Sequence, residues 1–77
     1  MRINAAQTRA ARGLLGWSQT ELGNAAGLSL STIKRYEAGR GANGSQGVID
    51  KMRAALEAAG VEFTNGGQPG VRLRRSE

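Results

Sequence analysis

Residues 19–39, QTELGNAAGLSLSTIKRYEAG, decide how this 77-residue chain folds. Just ahead of them, Ser18 and Glu21 form an S-x-x-E capping box: the serine hydroxyl accepts a free N–H of the first turn, and the glutamate reaches back to the N-cap. Trp17 and Leu22 occupy the two positions of a hydrophobic staple, so the tryptophan fixes the angle at which the chain enters a helix beginning at Gln19. That helix runs to Ala26 and stops at Gly27, a C′ residue that takes positive φ without steric penalty. Leu28 then turns inward, and Ser29 caps a helix from Leu30 to Ala38 that Gly39 ends. Ile33 and Tyr36, three apart, share its buried face. Leu30, Ser31, Lys34 and Arg35 point elsewhere, along with Glu37 at the helix end. Two short helices with three residues between them, each bounded by caps, have the grammar of a helix-turn-helix over 19–38.

Upstream, Asn4 and Gln7 form another capping box and predict a helix from about Ala5 to Leu15, closed by Gly16. At about 100° per residue Ala6, Ala10 and Leu14 fall on one side and make the expected packing stripe, while Gln7, Arg9 and Arg12 take other directions. Downstream, GRGANGSQG is a linker: no strand precedes it and no GK[ST] follows, so it is not a nucleotide-binding P-loop. A fourth helix, about 46–59, starts at Ser45 or a neighbour and ends at Gly60. Val48, Ile49, Met52, Ala55, Leu56 and Ala59 fill an arc of about 120° opposite Asp50, Arg53 and Glu57. Arg53 and Glu57 are spaced to pair at i,i+4. Past Gly60 the period changes: Val61-Glu62-Phe63 alternates, NGGQPG reads as a turn, and Val71-Arg72-Leu73 alternates again, predicting a β-hairpin over 61–73. An isolated ribbon is marginal in water, so it either lies on the helices or pairs with the same ribbon of a second copy. The tail from Arg74 to Glu77 is expected to be disordered. The expected whole is a single, mainly α domain of about four helices with a C-terminal β-hairpin.

Eleven Lys and Arg stand against six Asp and Glu, giving a net charge of +5 and a pI near 11.2. Lys34, Arg35 and Arg40 lie in or just after the second helix of the motif, and Arg72, Arg74 and Arg75 crowd the C-terminus. This clustering points to a polyanionic partner. The chain has neither Cys nor His, which removes disulfides, thiolate chemistry and the usual zinc ligand sets; no metal or cofactor is expected. The scattered carboxylates form no general acid–base pair and no activated nucleophile, so an enzyme is the weakest reading. Arg9 and Arg12 interrupt the first apolar stretch, so no signal peptide or membrane span is expected, and a cytoplasmic location is. A chain this small buries only about 60% of its unfolded surface, and oligomerisation is a common remedy.

With those residues in hand, Arg12 through Gly39 resembles the Cro/CI-type (XRE) helix-turn-helix family, that of the lambdoid phage repressors. The resemblance covers roughly residues 5 to 59. It rests on Gln19 opening the first motif helix, Leu22 in the core, Gly27 at the turn, the apolar Leu28, and the run IKRYEAGR with Ile33 and Tyr36. It implies a lambda-repressor-like bundle that binds double-stranded DNA. Gly23 stands where the family usually has alanine, at a position that must be small so that the motif helices can approach. The C-terminal hairpin departs from the all-helical repressors. Carried onto this chain, the resemblance implies that Gln19 touches a phosphate, that Leu30, Ser31 and Arg35 project toward base edges with Thr32 and Lys34 nearby, and that Arg12 and Glu37 form a structural ion pair.

Elementary recognition chemistry agrees with those roles. A helix fits the major groove, and arginine bonds guanine O6 and N7 in bidentate fashion, which makes Arg35 the first choice for a base contact. Leu30 can pack on a thymine methyl, and Lys34 can read a base or hold a phosphate. Arg40 and Asn43 suit backbone contacts that position without specifying. The expected function is a sequence-specific transcriptional regulator, a repressor or autoregulator, acting as a homodimer on an inverted repeat without a small-molecule ligand. The alternative is an antitoxin-like or adaptor module that holds a partner protein, its hairpin adding a strand to the partner's sheet. The arc of helix 4 is needed for the core, which favours the hairpin as the dimer element, though both can take part.

Overall fold

A computed structural model describes residues 3–39, 46–64 and 69–74. Its elements are α1 (Ala5–Leu15), α2 (Gln19–Ala26), α3 (Leu30–Glu37), α4 (Gln46–Ala58), β1 (Val61–Thr64) and β2 (Gly70–Leu73). The first three helices begin where their caps dictate. Asn4 Oδ1 accepts the Gln7 N–H at 2.8 Å, and Gln7 Oε1 accepts the Asn4 N–H at 2.9 Å. Ser18 and Glu21 do the same at 3.0 and 2.7 Å, and Ser29 Oγ accepts the Thr32 N–H at 3.1 Å. Gly16 and Gly27 close α1 and α2 in the left-handed region, at φ 70° and 71°. In α3 the cap is Ala38, with Gly39 following at φ 83°.

The core is drawn from all four helices and β1: Ala11 of α1, Leu22 of α2, Ile33 and Tyr36 of α3, Ile49, Met52 and Leu56 of α4, and Val61 and Phe63 of β1 are buried. Trp17, Leu28, Val48 and Ala55 are half-buried against it. The hairpin is antiparallel, pairing Val61 with Leu73, Glu62 with Arg72 and Phe63 with Val71. It lies on α1, with β1 also against α4. Arg74, expected in a disordered tail, instead continues the ladder by donating its N–H to the Gly60 carbonyl at 2.6 Å. Among the described residues no helix is long and apolar enough to cross a membrane.

The structure also corrects the expectations for α1 and for the Arg53 pair. The stripe Ala6, Ala10 and Leu14 faces outward, and the buried side of α1 carries Gln7, Thr8 and Ala11. Hydrogen bonding explains the choice: Gln7 Nε2 donates to the carbonyls of Thr64 and Gly70 at 3.2 and 3.1 Å, and the Thr8 hydroxyl returns to the Asn4 carbonyl at 3.2 Å. Polar groups with such partners are buried at little penalty, whereas alanines bring little area to a core. Arg53, expected to pair with Glu57, lies 3.9 Å from Asp50 instead. Surface pairs of either spacing are worth only tenths of a kcal/mol, so small packing differences decide between them.

Gly23 sits where α2 meets the turn. A Cβ built there would lie 2.8 Å from the Leu28 carbonyl oxygen and 3.7 Å from Ile33. That oxygen belongs to the backbone of the motif turn, so a methyl group moves the turn itself. Gly13, also helical, has nothing within 4 Å of such a Cβ. Gly13→Ala should therefore stabilise the fold by up to about 1 kcal/mol through helix propensity. Gly23→Ala should destabilise it by about 1 kcal/mol, overpacking of roughly 1–3 kcal/mol outweighing the same propensity gain. Urea denaturation of the two variants checks the opposite signs.

Candidate nucleic-acid interface

The side chains of α3 divide cleanly. Ile33 and Tyr36 are buried, and the Tyr36 hydroxyl donates to the Ile3 carbonyl at 2.7 Å, tying α3 to the start of the described chain. Ser31, Lys34 and Arg35 are exposed, and Leu30 is 40% exposed although it is apolar. Lys34 and Arg35 make no hydrogen bond or ion pair among the described residues, whereas Arg12, Arg53 and Arg72 each face a carboxylate. Thr32 is half-buried, and its hydroxyl lies 2.9 Å from that of Ser29, so its first partner is the cap of its own helix. Arg40 and Asn43 lie outside the described residues.

Behind that face is a buried polar clamp. Arg12 Nε and Nη2 each donate to the Glu37 carboxylate at 2.7 Å, in a bidentate pair. Arg12 Nη1 donates to the Trp17 carbonyl at 3.0 Å. Gln19 Nε2 adds a third hydrogen bond to Glu37, at 3.1 Å. Glu37 is only 4% exposed, so spacing alone, which turned it outward, misplaces it, and the pair implied by the resemblance is present. The hydrogen bonds and charge of Glu37 hold the Arg12 pKa above its ordinary value against the opposing effect of burial. One guanidinium thus joins α1, the entry to α2 and the end of α3.

Sequence reasoning passed over Arg9, whose Nη1 donates to the Glu37 backbone carbonyl and so satisfies the C-terminal end of α3. The available signal was its spacing: Arg9 is three residues before Arg12 and shares its face of α1. Gln19 opens α2 beside the same carboxylate, which sets its amide at the positive end of that helix. Gln19, Lys34 and Arg35 therefore stand on helices whose relative angle one clamp controls.

A family model for the helix-turn-helix domain matches residues 5–64, from the start of α1 to the end of β1. The chain belongs to the helix-turn-helix domain family, a DNA-binding class whose second motif helix enters the major groove. The match stops before β2. A comparison with curated proteins finds no match.

Removing one partner of a buried pair strands the other charge. Arg12→Met should destabilise the fold by about 3 kcal/mol or more, and Arg12→Met with Glu37→Gln by less than the sum of the two single changes. Denaturant midpoints of the three variants measure that coupling.

Proposed function

We propose that this domain is a sequence-specific transcriptional regulator of the Cro/CI type, a repressor or autoregulator that binds an inverted repeat as a homodimer. The observation that carries the reading is the exposed face of α3, where Lys34 and Arg35 have no partner among the described residues, on a helix clamped at its C-terminal end. Cations on a fixed helix with no such partner break no ion pair on entering a groove whose acceptors replace their water, and Arg35 has the fork geometry for guanine. Leu30 supplies an apolar contact for a thymine methyl, with Ser31 and Thr32 beside it. Lys34 serves a base or a phosphate.

Gln19 has a second amide hydrogen beyond the one given to Glu37, and at the N-terminus of α2 that hydrogen suits a phosphate oxygen. Arg40 and Asn43 would extend the backbone contacts from the segment after α3. The principal extents, 34 × 28 × 18 Å, suit two copies side by side on half-sites about 34 Å apart. A cytoplasmic location follows from this role.

Selection of bound duplexes from a random pool tests the reading as a whole: a palindromic consensus is expected, and recovery of unrelated sequences would sink it. Arg35→Ala should cost about 1–3 kcal/mol on the selected site and relax preference at one base pair. If Lys34 holds a phosphate, Lys34→Ala weakens binding evenly across sequences and lowers the salt slope by about one. Gel-shift titrations at several salt concentrations, on matched and single-substituted duplexes, separate the two.

A further inference from the structure

We infer that Arg9 is a positioning residue for base recognition: its bond to the Glu37 carbonyl holds the last turn of α3, and with it the direction in which Arg35 points. The inference rests on the DNA reading above and adds to it a residue outside the groove-facing set.

The end of α3 needs outside help. The helix has eight residues, too few to be stable by itself, and its last carbonyls look beyond it for donors. The Ala38 N–H donates to the Lys34 carbonyl at 3.0 Å, and the Gly39 N–H donates to the Tyr36 carbonyl at 3.1 Å. The Glu37 carbonyl, the last of the helix, accepts instead from Arg9 Nη1, 28 residues earlier on α1. Arg9 thereby also sets a cation at the negative end of the α3 dipole. Lys34 and Arg35 occupy that same turn, so the backbone that Arg9 holds is the backbone that carries the proposed base contact.

The Arg12 clamp does not duplicate this bond. Arg12 and Gln19 hold Glu37 through its carboxylate, and the side-chain torsions of a glutamate lie between that carboxylate and the helix. Arg9 acts on the main chain itself. Removing Arg9 leaves the Arg12–Glu37 pair whole, so it strands no buried charge. The two arginines therefore divide the work: Arg12 places α3 against α1, and Arg9 keeps its final turn wound.

That turn matters more for discrimination than for attraction. A bidentate contact to guanine needs both guanidinium donors aligned with the edge of the base, whereas a phosphate accepts from a wide range of directions. A loosened last turn costs the first before it costs the second.

Arg9→Met removes the donor while keeping length and helix propensity, and Arg9→Lys keeps a donor and the charge. The quantity to measure is the ratio of affinities for the selected duplex and for a duplex substituted at the base pair read by Arg35. This ratio should fall roughly 5-fold or more in Arg9→Met, and Arg9→Lys should restore most of it. The salt slope on a random duplex should stay as in the wild type, since no phosphate contact is lost. An unchanged ratio, or a loss that lysine does not restore, overturns the inference. So does a uniform loss with the slope lowered by about one, the sign of a phosphate contact.

A second measurement needs no DNA. Amide hydrogen exchange at Ala38 and Gly39, whose bonds close the end of α3, should quicken about 10-fold in Arg9→Met, while the buried Leu22 and Met52 change far less. Equal acceleration at all four amides, or none at Ala38 and Gly39, overturns the hold of Arg9 on α3. A wild type that binds no duplex yet shows this exchange pattern would sink the DNA reading and leave that hold in place.

Discussion

The Arg12–Glu37 pair is the constraint on which the motif depends. A carboxylate that is 4% exposed would be expelled to water or neutralised if it stood alone. Here it accepts two bonds from Arg12 and one from Gln19, while Arg9 takes the carbonyl of the same residue. Desolvation offsets much of the electrostatic attraction, so the clamp contributes more to geometry than to net stability. Its bidentate form permits one relative placement of α1 and α3, and the bond to Trp17 carries that placement to the start of α2. The angle between Gln19 and the outer face of α3 follows from those bonds.

A domain with few large apolar side chains needs such devices. Gln7 has a parallel role at the other end of α1, bridging the carbonyls of Thr64 and Gly70 where the hairpin strands meet. The hairpin, too short to stand alone, gains its stability from that bridge and from seating Val61 and Phe63 in the core. Gly23 completes the frame by letting the Leu28 carbonyl approach to a distance no Cβ tolerates. Each contact places a polar or backbone group where a larger protein would use apolar bulk, and each fixes direction as well as distance.

Much of this was legible in the residue string because it is local. Capping boxes act over three residues, glycine stops act at one, and the three-residue spacing of Ile33 and Tyr36 needs only helical geometry. The exposed site residues Leu30, Ser31, Lys34 and Arg35 were legible for the same reason. Glu37 was not legible from spacing, because its partner stands 25 residues earlier and only the resemblance implied it. Arg9 and the bonds of Gln7 to the hairpin were missed because a polar residue on a helix gives no sign that a carbonyl waits for it elsewhere in the fold.

The sequence by itself determined the elements, their ends and the identity of the helix-turn-helix, since these rest on short-range sterics and hydrogen bonds written into neighbouring residues. Tertiary structure alone decided which side of α1 is buried and where the hairpin lies. Helical periodicity offers several faces, and the one chosen is the face whose Gln7, Thr8 and Ala11 meet partners. That choice left Ala6, Ala10 and Leu14 outside.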